Sequence, residues 1–244
     1  MSAEFGIAVG LSLLGGLGGL LVASGLLLVP DGVRSRLVPW LVSYAVGALL
    51  GVAMLAILPE ALEQLPATRV FGTLLAGILL FFLLEKLVLW RHCHTHDCEV
   101  HDSSGQLVLV GDAFHNFVDG AVIAAAVITS VPLGVTTAIA VAAHEIPQEV
   151  GDFAILLHGG YSRRRALMLN ALSALAGGAG AVVALLFLDT LPGVLPYVLV
   201  LAAASFLYVA MADLIPGLHR GRTDAGSLRQ ILLIAAGVLT IVAV

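Results

Sequence analysis

Long apolar stretches recur through this sequence, and each is long enough to cross a lipid bilayer. A transmembrane helix needs about 20 mostly apolar residues. Hydrophobic residues make up 60% of the 244 residues and charged residues only 11%, whereas soluble domains carry about 25% charged residues. Because unpaired backbone groups are not tolerated in lipid, a chain of this kind folds as membrane-spanning helices. We therefore predict an all-α, polytopic membrane protein.

Turn residues and charges divide the chain into eight apolar segments. Their number and length predict one eight-helix transmembrane bundle, residues 1–244, without a separate soluble domain. The N-terminus lacks the basic residues of a secretory signal, so the first segment is interpreted as an uncleaved span. The predicted spans are about 6–29, 37–60, 69–90, 107–129, 134–157, 165–188, 194–215 and 228–244.

Basic residues follow every second predicted span, which indicates the orientation of the bundle. Cytoplasmic loops carry an excess of Lys and Arg, so we expect the basic loops inside the cell and both termini outside. The compact form and uncleaved first span fit a cell (inner) membrane of a bacterium. The residues in question are Arg34 and Arg36, Lys86 and Arg91, Arg163 to Arg165, and Arg220, Arg222 and Arg229, with Arg69 alone on the other side.

Two apolar segments, the fourth and fifth, nevertheless contain a concentration of acids and histidines. Each acid near a bilayer centre costs roughly 2.5 to 3.5 kcal/mol, so five of them need on the order of 10 kcal/mol of compensation. No Lys or Arg lies between Gln106 and Ser162. The positive charge must come from another segment, from protons or from a bound cation, and the histidines favour the cation. The acids are Asp112, Asp119, Glu145, Glu149 and Asp152.

The polar residues of the two segments fall on common helical faces and at one depth. Residues three or four positions apart share a helical face, and His115 and His144 both lie near the middle of their spans. Imidazole, carboxylate and amide donors suit Zn2+ and similar ions, in one site or two, and the absence of thiolates argues against Cu(I). Asp112 and Asp152 are equally compatible with ligation, an exit path or a structural role. The predicted ligands are His115, Asn116, Asp119, His144, Glu145, Gln148 and Glu149.

Two motifs resemble the fourth and fifth helices of the ZIP family of divalent metal transporters. They are His-Asn-Phe-Val-Asp-Gly at 115–120 and His-Glu-Ile-Pro-Gln-Glu-Val-Gly-Asp-Phe at 144–153, the latter of a type that suggests a prokaryotic member. The resemblance implies a binuclear site, uptake toward the cytoplasm, alternating access and a homodimer. It places His115, Asp119, His144 and Gln148 at one metal, and Asn116, Glu145 and Glu149 near the other.

The chain departs from the family pattern at positions that concern metal affinity and entry. Gln148 stands where many members have a second histidine, and Val52 and Ala56 stand where acidic or histidine residues are frequent in the second helix. Glutamine is a weaker, neutral ligand. The predicted entrance is therefore limited to Glu60 and Glu63.

A histidine- and cysteine-rich segment, predicted as a cytoplasmic loop over 91–106, follows the third span. Its composition indicates metal binding, and its two cysteines are expected to be reduced thiols in the cytoplasm. We interpret it as a transient acceptor or sensor for metal, with a polar linker as the alternative. The candidate residues are His92, Cys93, His94, His96, Cys98 and His101.

Three other functions compete with metal import. An intramembrane zinc-dependent hydrolase would use the His144-Glu145 start of a zincin motif, but Gln148 replaces the second histidine. A metal efflux protein or a proton relay would also place polar groups in the membrane. We predict a transporter rather than an enzyme, with Zn2+ as substrate and Fe2+, Mn2+, Co2+ and Cd2+ as further candidates. The expected partners are divalent metal ions and the lipid bilayer. We expect neither a prosthetic group nor a nucleic-acid partner.

Overall fold

The structure, a computed structural model, describes residues 2–92, 100–188, 191, 193–218 and 225–243. Every described secondary-structure element is a helix, as predicted. Within these residues, six helical stretches are long and apolar enough to cross a membrane, which identifies a polytopic membrane protein. The six are Glu4–Leu27, Gly32–Gln64, Ala67–Leu84, Leu109–Thr129, Arg163–Leu188 and Leu195–Leu218.

Two further predicted spans are also helical but are not among those six. The segment predicted at 134–157 lies in a helix that carries His144, Glu145 and Glu149, and the last segment forms a shorter apolar helix, Ser227–Ala243. The α-helices are α1 (Ser2–Leu27), α2 (Asp31–Gly51), α3 (Leu58–Gln64), α4 (Ala67–His92), α5 (Val100–Thr129), α6 (Val131–His158), α7 (Arg163–Leu188), α8 (Leu195–Tyr208), α9 (Ile215–Leu218) and α10 (Ala225–Ala243).

Several helices extend beyond their predicted ends. α2 begins at Asp31 rather than 37, and α5 begins at Val100 rather than 107. α4 continues through His92, so its last residues and the first residues of α5 overlap the predicted loop over 91–106. The physical reason is that helical hydrogen bonds join backbone groups, whereas a hydropathy boundary marks only where the side chains become polar.

The polar helices α5 and α6 lie at the centre of the helix packing. α5 contacts α6, α7 and α1, and α1 also contacts α6 and α7. Away from this group, α2 packs against α10 and α4 packs against α8. α5 and α6 are joined through Ser130, whose side-chain oxygen accepts a hydrogen bond from the Leu133 backbone N–H at 3.3 Å. The short connection makes them antiparallel neighbours.

Glycines allow α5 and α7 to approach each other backbone to backbone. A Cβ at Gly120 would overlap the carbonyl of Gly177, and one at Gly180 would overlap the carbonyl of Phe117. Small residues at helix interfaces permit this close approach in membranes, where apolar burial does not drive association. The seam fixes α5 against α7 and thereby the position of its polar face.

Two π-helical turns interrupt the helices of the second and seventh apolar segments. They are Val52–Ile57, between α2 and α3, and Val209–Leu214, between α8 and α9. Each begins with Val-Ala-Met, and proline follows at Pro59 and Pro216. Proline lacks an N–H and its ring clashes with the carbonyl one turn earlier, which a widened turn relieves. We did not predict these turns, although the repeated sequence was their signal.

Candidate metal centre

Four side chains from α5 and α6 converge on one point between the two helices. Nε2 of His115 lies 3.0 Å from Nε2 of His144, and the latter lies 3.1 Å from Oδ2 of Asp119. Oε1 of Glu145 is 3.7 Å from both Nε2 atoms. One donor atom from each of the four lies within 4.8 Å of the others. Two nitrogen and two carboxylate donors form the kind of set that binds Zn2+.

The hydrogen bond made by Nδ1 of His144 leaves Nε2 of the same ring available as a metal ligand. Nδ1 of His144 lies 3.1 Å from the carbonyl oxygen of Ala140. Because a carbonyl oxygen only accepts, Nδ1 must donate, and in the neutral ring Nε2 then carries a lone pair. That lone pair faces the Asp119 carboxylate and the His115 ring at hydrogen-bonding distance. A cation between them, either a metal ion or a proton, satisfies this arrangement.

A second group of donors adjoins the first and shares Glu145 with it. Asp112, Glu145 and Glu149 place one carboxylate oxygen each within 4.8 Å of the others. Two amides are directed at Asp112, since Nδ2 of Asn116 donates to Oδ1 at 3.0 Å and Nε2 of Gln148 donates to Oδ1 at 3.3 Å. The arrangement can hold two cations side by side, with Glu145 between them.

Two carboxylates of this centre, Glu145 and Glu149, are buried without a hydrogen-bond partner among the described residues. Glu145 and Glu149 are fully buried, and Asp112 and Asp119 nearly so. Within the described residues, neither oxygen of Glu145 nor of Glu149 has a hydrogen-bond partner. Buried charges of this kind are paired or coordinate metals. The donor set therefore fits divalent cations as its missing partners.

α1 and α8 close the centre on two sides. Gly19 of α1 lies directly against Glu145, because a Cβ added there would be 2.9 Å from Cβ of Glu145. The ring of Phe206 in α8 lies 6.1 Å, centroid to centroid, from that of His144. Among the donor residues of the two groups, His115 is the most exposed, with 20% of its side chain accessible, and the other five are buried. The centre is thus an enclosed site with one partly open ligand.

Comparison with known proteins agrees with the zinc-binding chemistry of the donor groups. The family described as ZIP Zinc transporter matches residues 90–244. Zinc transporter ZIP13 of Pongo abelii is 34% identical over 229 residues, which are 86% of this chain and 69% of that protein. The chain belongs to the ZIP family. Both the family match and the alignment with ZIP13 include all of α5 and α6.

Other ZIP proteins match a shorter part of the chain at higher identity. Zinc transporter ZIP4 of Mus musculus is 46% identical over 116 residues, or 48% of this chain and 17% of that protein. Zinc transporter ZIP10 of Danio rerio is 39% identical over 118 residues, or 48% of this chain and 14% of that protein. These relatives are much longer than the part they share with this chain.

ZIP membership decides between the competing functions at the level of class. ZIP family members are transporters, so the chain is a divalent metal transporter and not an intramembrane hydrolase. The donor groups agree, because Gln148 contributes an amide next to Asp112 rather than a second imidazole next to His144.

The structure assigns the predicted metal ligands to its two donor groups differently from the arrangement that the resemblance to ZIP transporters implies. Gln148 was implied at the His115 metal, but its amide contacts Asp112 of the second group. Asp112, for which the sequence leaves ligation, an exit path and a structural role equally open, is a member of that group. The signal was available in the sequence, since Asp112, Asn116 and Asp119 are spaced along one face of α5. Asp152 lies one turn beyond Glu149 and is half-buried.

The described peripheral candidates are not members of the two donor groups. Glu60 and Glu63 are on α3, where Oε1 of Glu60 accepts a 2.9 Å hydrogen bond from Gln64 and Glu63 is exposed. Of the histidine- and cysteine-rich segment, His92 ends α4 and His101 lies in the first turn of α5. The remaining candidates, Cys93, His94, His96 and Cys98, lie outside the described residues.

Gly19 offers a test of how tightly α1 closes the centre. We expect Gly19→Ala to lower Zn2+ uptake roughly tenfold, as changes next to metal ligands typically do, because its new Cβ displaces Glu145. The matched control is Gly18→Ala, since a Cβ at Gly18 meets nothing within 4 Å. Uptake into proteoliposomes by equal amounts of both variants makes the comparison. Equal uptake by the two would contradict the proposed contact.

Proposed function

We propose that this ZIP protein carries Zn2+ into the cytoplasm through the two adjacent donor groups of α5 and α6. The observation that supports this most directly is the environment of His144. Its Nδ1 donates to Ala140, so its Nε2 lone pair faces the carboxylate of Asp119 at 3.1 Å. The proposed ligands of the first ion are His115, Asp119, His144 and Glu145. Those of the second are Asp112, Glu145 and Glu149, with Asn116 and Gln148 orienting Asp112.

The proposed membrane arrangement is the eight-span bundle with both termini outside the cell. Its support is the alternation of basic residues after every second helix, together with the helical form of all eight segments in the described residues. We place it in the cell (inner) membrane. α5 then enters from the cytoplasmic side, so Asp112 is nearer the cytoplasm than Asp119.

The two donor groups then form successive steps along one path. α5 and α6 run antiparallel, so moving from Asp119 to Asp112 follows the same direction as moving from Glu145 to Glu149. At about 1.5 Å per residue, the four residues from Glu145 to Glu149 correspond to ~6 Å along α6. Asp152, one further turn along α6, is the proposed next stop. Glu60 and Glu63 are the proposed entrance, and the histidine- and cysteine-rich segment over 91–106 is proposed to receive the ion.

The mechanism follows from donors that replace the hydration shell of the ion in stages. Transport requires binding that is favourable enough for entry yet weak enough for release. Glu145 belongs to both groups, so one of its oxygens can remain on the ion while the other ligands exchange. We propose that movement of the helices exposes the centre alternately to each side, and that two copies of the chain form a homodimer.

The donor types support zinc and its neighbours as substrates. Imidazole and carboxylate donors suit Zn2+, Fe2+, Mn2+, Co2+ and Cd2+, and the centre has no thiolate for Cu(I) among its described ligands. The relatives described as zinc transporters favour Zn2+ as the main substrate. The ion is cargo, and no prosthetic group is proposed.

The proposal is tested by zinc flux in sealed proteoliposomes of known protein orientation. A zinc dye inside the vesicles reports uptake by the wild type and by His144→Ala. We expect saturable Zn2+ uptake that the substitution reduces roughly 100-fold. Flux only in the opposite direction would instead identify an efflux protein, and undiminished uptake by correctly inserted His144→Ala would contradict the site.

Replacing Gln148 with histidine is expected to increase the affinity of the centre for Zn2+. The amide of Gln148 lies beside Asp112, where an imidazole would be a stronger metal donor. We expect Gln148→His to bind Zn2+ about tenfold more tightly and to release it more slowly, which lowers the maximal uptake rate. Competition with a zinc dye measures affinity, and flux at saturating zinc measures release. Gln148→Leu is the control, and we expect no gain from it; unchanged affinity in Gln148→His would contradict the proposed place of Gln148.

A further inference from the structure

A cavity remote from the metal centre lies between the ends of α1, α6 and α7. Its volume is about 570 Å3, within the usual range of ligand pockets. Ser24 and Gly25 of α1, Phe153 and Leu157 of α6, and Leu167 of α7 are among its lining residues. None of these residues takes part in the proposed metal path.

One end of the cavity is strongly basic. Arg34, Arg163 and Arg164 all line it. Within the described part of the chain, neither Arg163 nor Arg164 forms an ion pair with a carboxylate. Arg163 is also the first residue of α7, so the positive end of a 26-residue helix adds to the charge. The neighbouring Arg165 differs, because its guanidinium lies 4.8 Å from the ring centre of Tyr161.

The other walls of the cavity are apolar and open toward the outside of the bundle. Leu21 and Leu28 are 73% and 81% exposed, although both line the cavity. The hydroxyl of Ser24 is buried there without a hydrogen-bond partner in the described residues. A ligand that fits must therefore have a negatively charged, hydrogen-bonding head and a long apolar tail.

We propose that this cavity binds an anionic phospholipid. The phosphate lies against Arg34, Arg163 and Arg164, and the acyl chains follow Leu21, Leu28 and Leu157 toward the bilayer. Basic pockets between the ends of transmembrane helices bind acidic head groups in this way. Lipid binding requires neither zinc nor a particular direction of transport, so this proposal is tested independently of the proposed function.

The test compares the binding of phosphatidylglycerol and phosphatidylcholine to the purified 244-residue chain. Native mass spectrometry of protein in detergent with both lipids at equal concentration measures which lipid is retained. We expect the wild type to prefer phosphatidylglycerol, and a double variant, Arg163→Gln with Arg164→Gln, to lose that preference on the order of tenfold. Arg165→Gln is the matched control and should retain it.

A second variant blocks the cavity without altering any charge. Gly25 lines the cavity and a Cβ there meets nothing within 4 Å, so we expect Gly25→Phe to occupy the cavity and to reduce retention of phosphatidylglycerol. Equal preference in the wild type and the double variant would overturn the proposal. So would equal loss in Arg165→Gln, retention undiminished in Gly25→Phe, or displacement of the lipid by millimolar glycerol 3-phosphate, which would indicate a site for free anions.

Discussion

Replacing Glu145 with glutamine is expected to reduce Zn2+ uptake roughly 100-fold or more. Glu145 is fully buried, has no hydrogen-bond partner in the described residues and belongs to both donor groups. Glutamine keeps the shape of the side chain but removes the charge that both ions would share. The loss should therefore exceed that of Asp119→Asn or Glu149→Gln, each of which alters one group only. Flux into zinc-dye-loaded proteoliposomes measures all three.

The stability of the same variant separates a ligand from a structural residue. Because burying a charge without a hydrogen-bond partner is costly, we expect Glu145→Gln not to destabilise the metal-free protein. We expect saturating Zn2+ to stabilise the wild type, by about 2.7 kcal/mol at 100 times the dissociation constant. We expect thermal unfolding of Glu145→Gln to lose most of this response to zinc. A zinc response equal to that of the wild type would contradict the shared role of Glu145.

The second large effect is expected at the seam between α5 and α7. We expect Gly120→Ala to lower the midpoint of thermal unfolding by about 5 to 10 °C, since overpacking costs about 1 to 3 kcal/mol or more. The added Cβ would overlap the backbone carbonyl of Gly177. A backbone carbonyl cannot rotate away as a side chain can, so α7 itself must move. Fluorescence-monitored unfolding in detergent measures the shift.

The control for this substitution lies on the same helix. Gly111 is exposed, and a Cβ there meets nothing within 4 Å, so Gly111→Ala should leave the midpoint unchanged or raise it slightly through helix propensity. Gly180→Ala should behave like Gly120→Ala, because its Cβ would overlap the carbonyl of Phe117. Similar midpoints for Gly111→Ala and Gly120→Ala would contradict the backbone contact.

Much of the metal centre followed from the spacing of polar residues along helices. His115 and Asp119 are four residues apart and therefore share a face, as the structure has them. The approach of His144 followed from its depth in the next segment. The partner of Gln148 did not follow, because spacing gives the face of a residue but not which side chain across the interface it meets. Its contact with Asp112 depends on how α5 and α6 are rotated toward each other.

Some features of the fold could likewise be predicted from the sequence and others could not. The apolar segments predicted helices, and the family match agrees with the motifs at 115–120 and 144–153. The extension of α5 back to Val100 was missed, since polar side chains do not prevent backbone hydrogen bonding. The π-helical turns before Pro59 and Pro216 were also missed, because their signal is a repeated sequence rather than a hydropathy pattern.

The sequence by itself determined the membrane class, the helical form, the family and the chemical identity of the donors. These properties depend on composition and on local periodicity, which need no knowledge of long-range contacts. Only the tertiary structure decided that Glu145 belongs to both donor groups, that Asp112 joins the second, and that Gly19 closes the centre. Each of these depends on the rotation and separation of neighbouring helices, which the packing of α1, α5, α6 and α7 sets collectively.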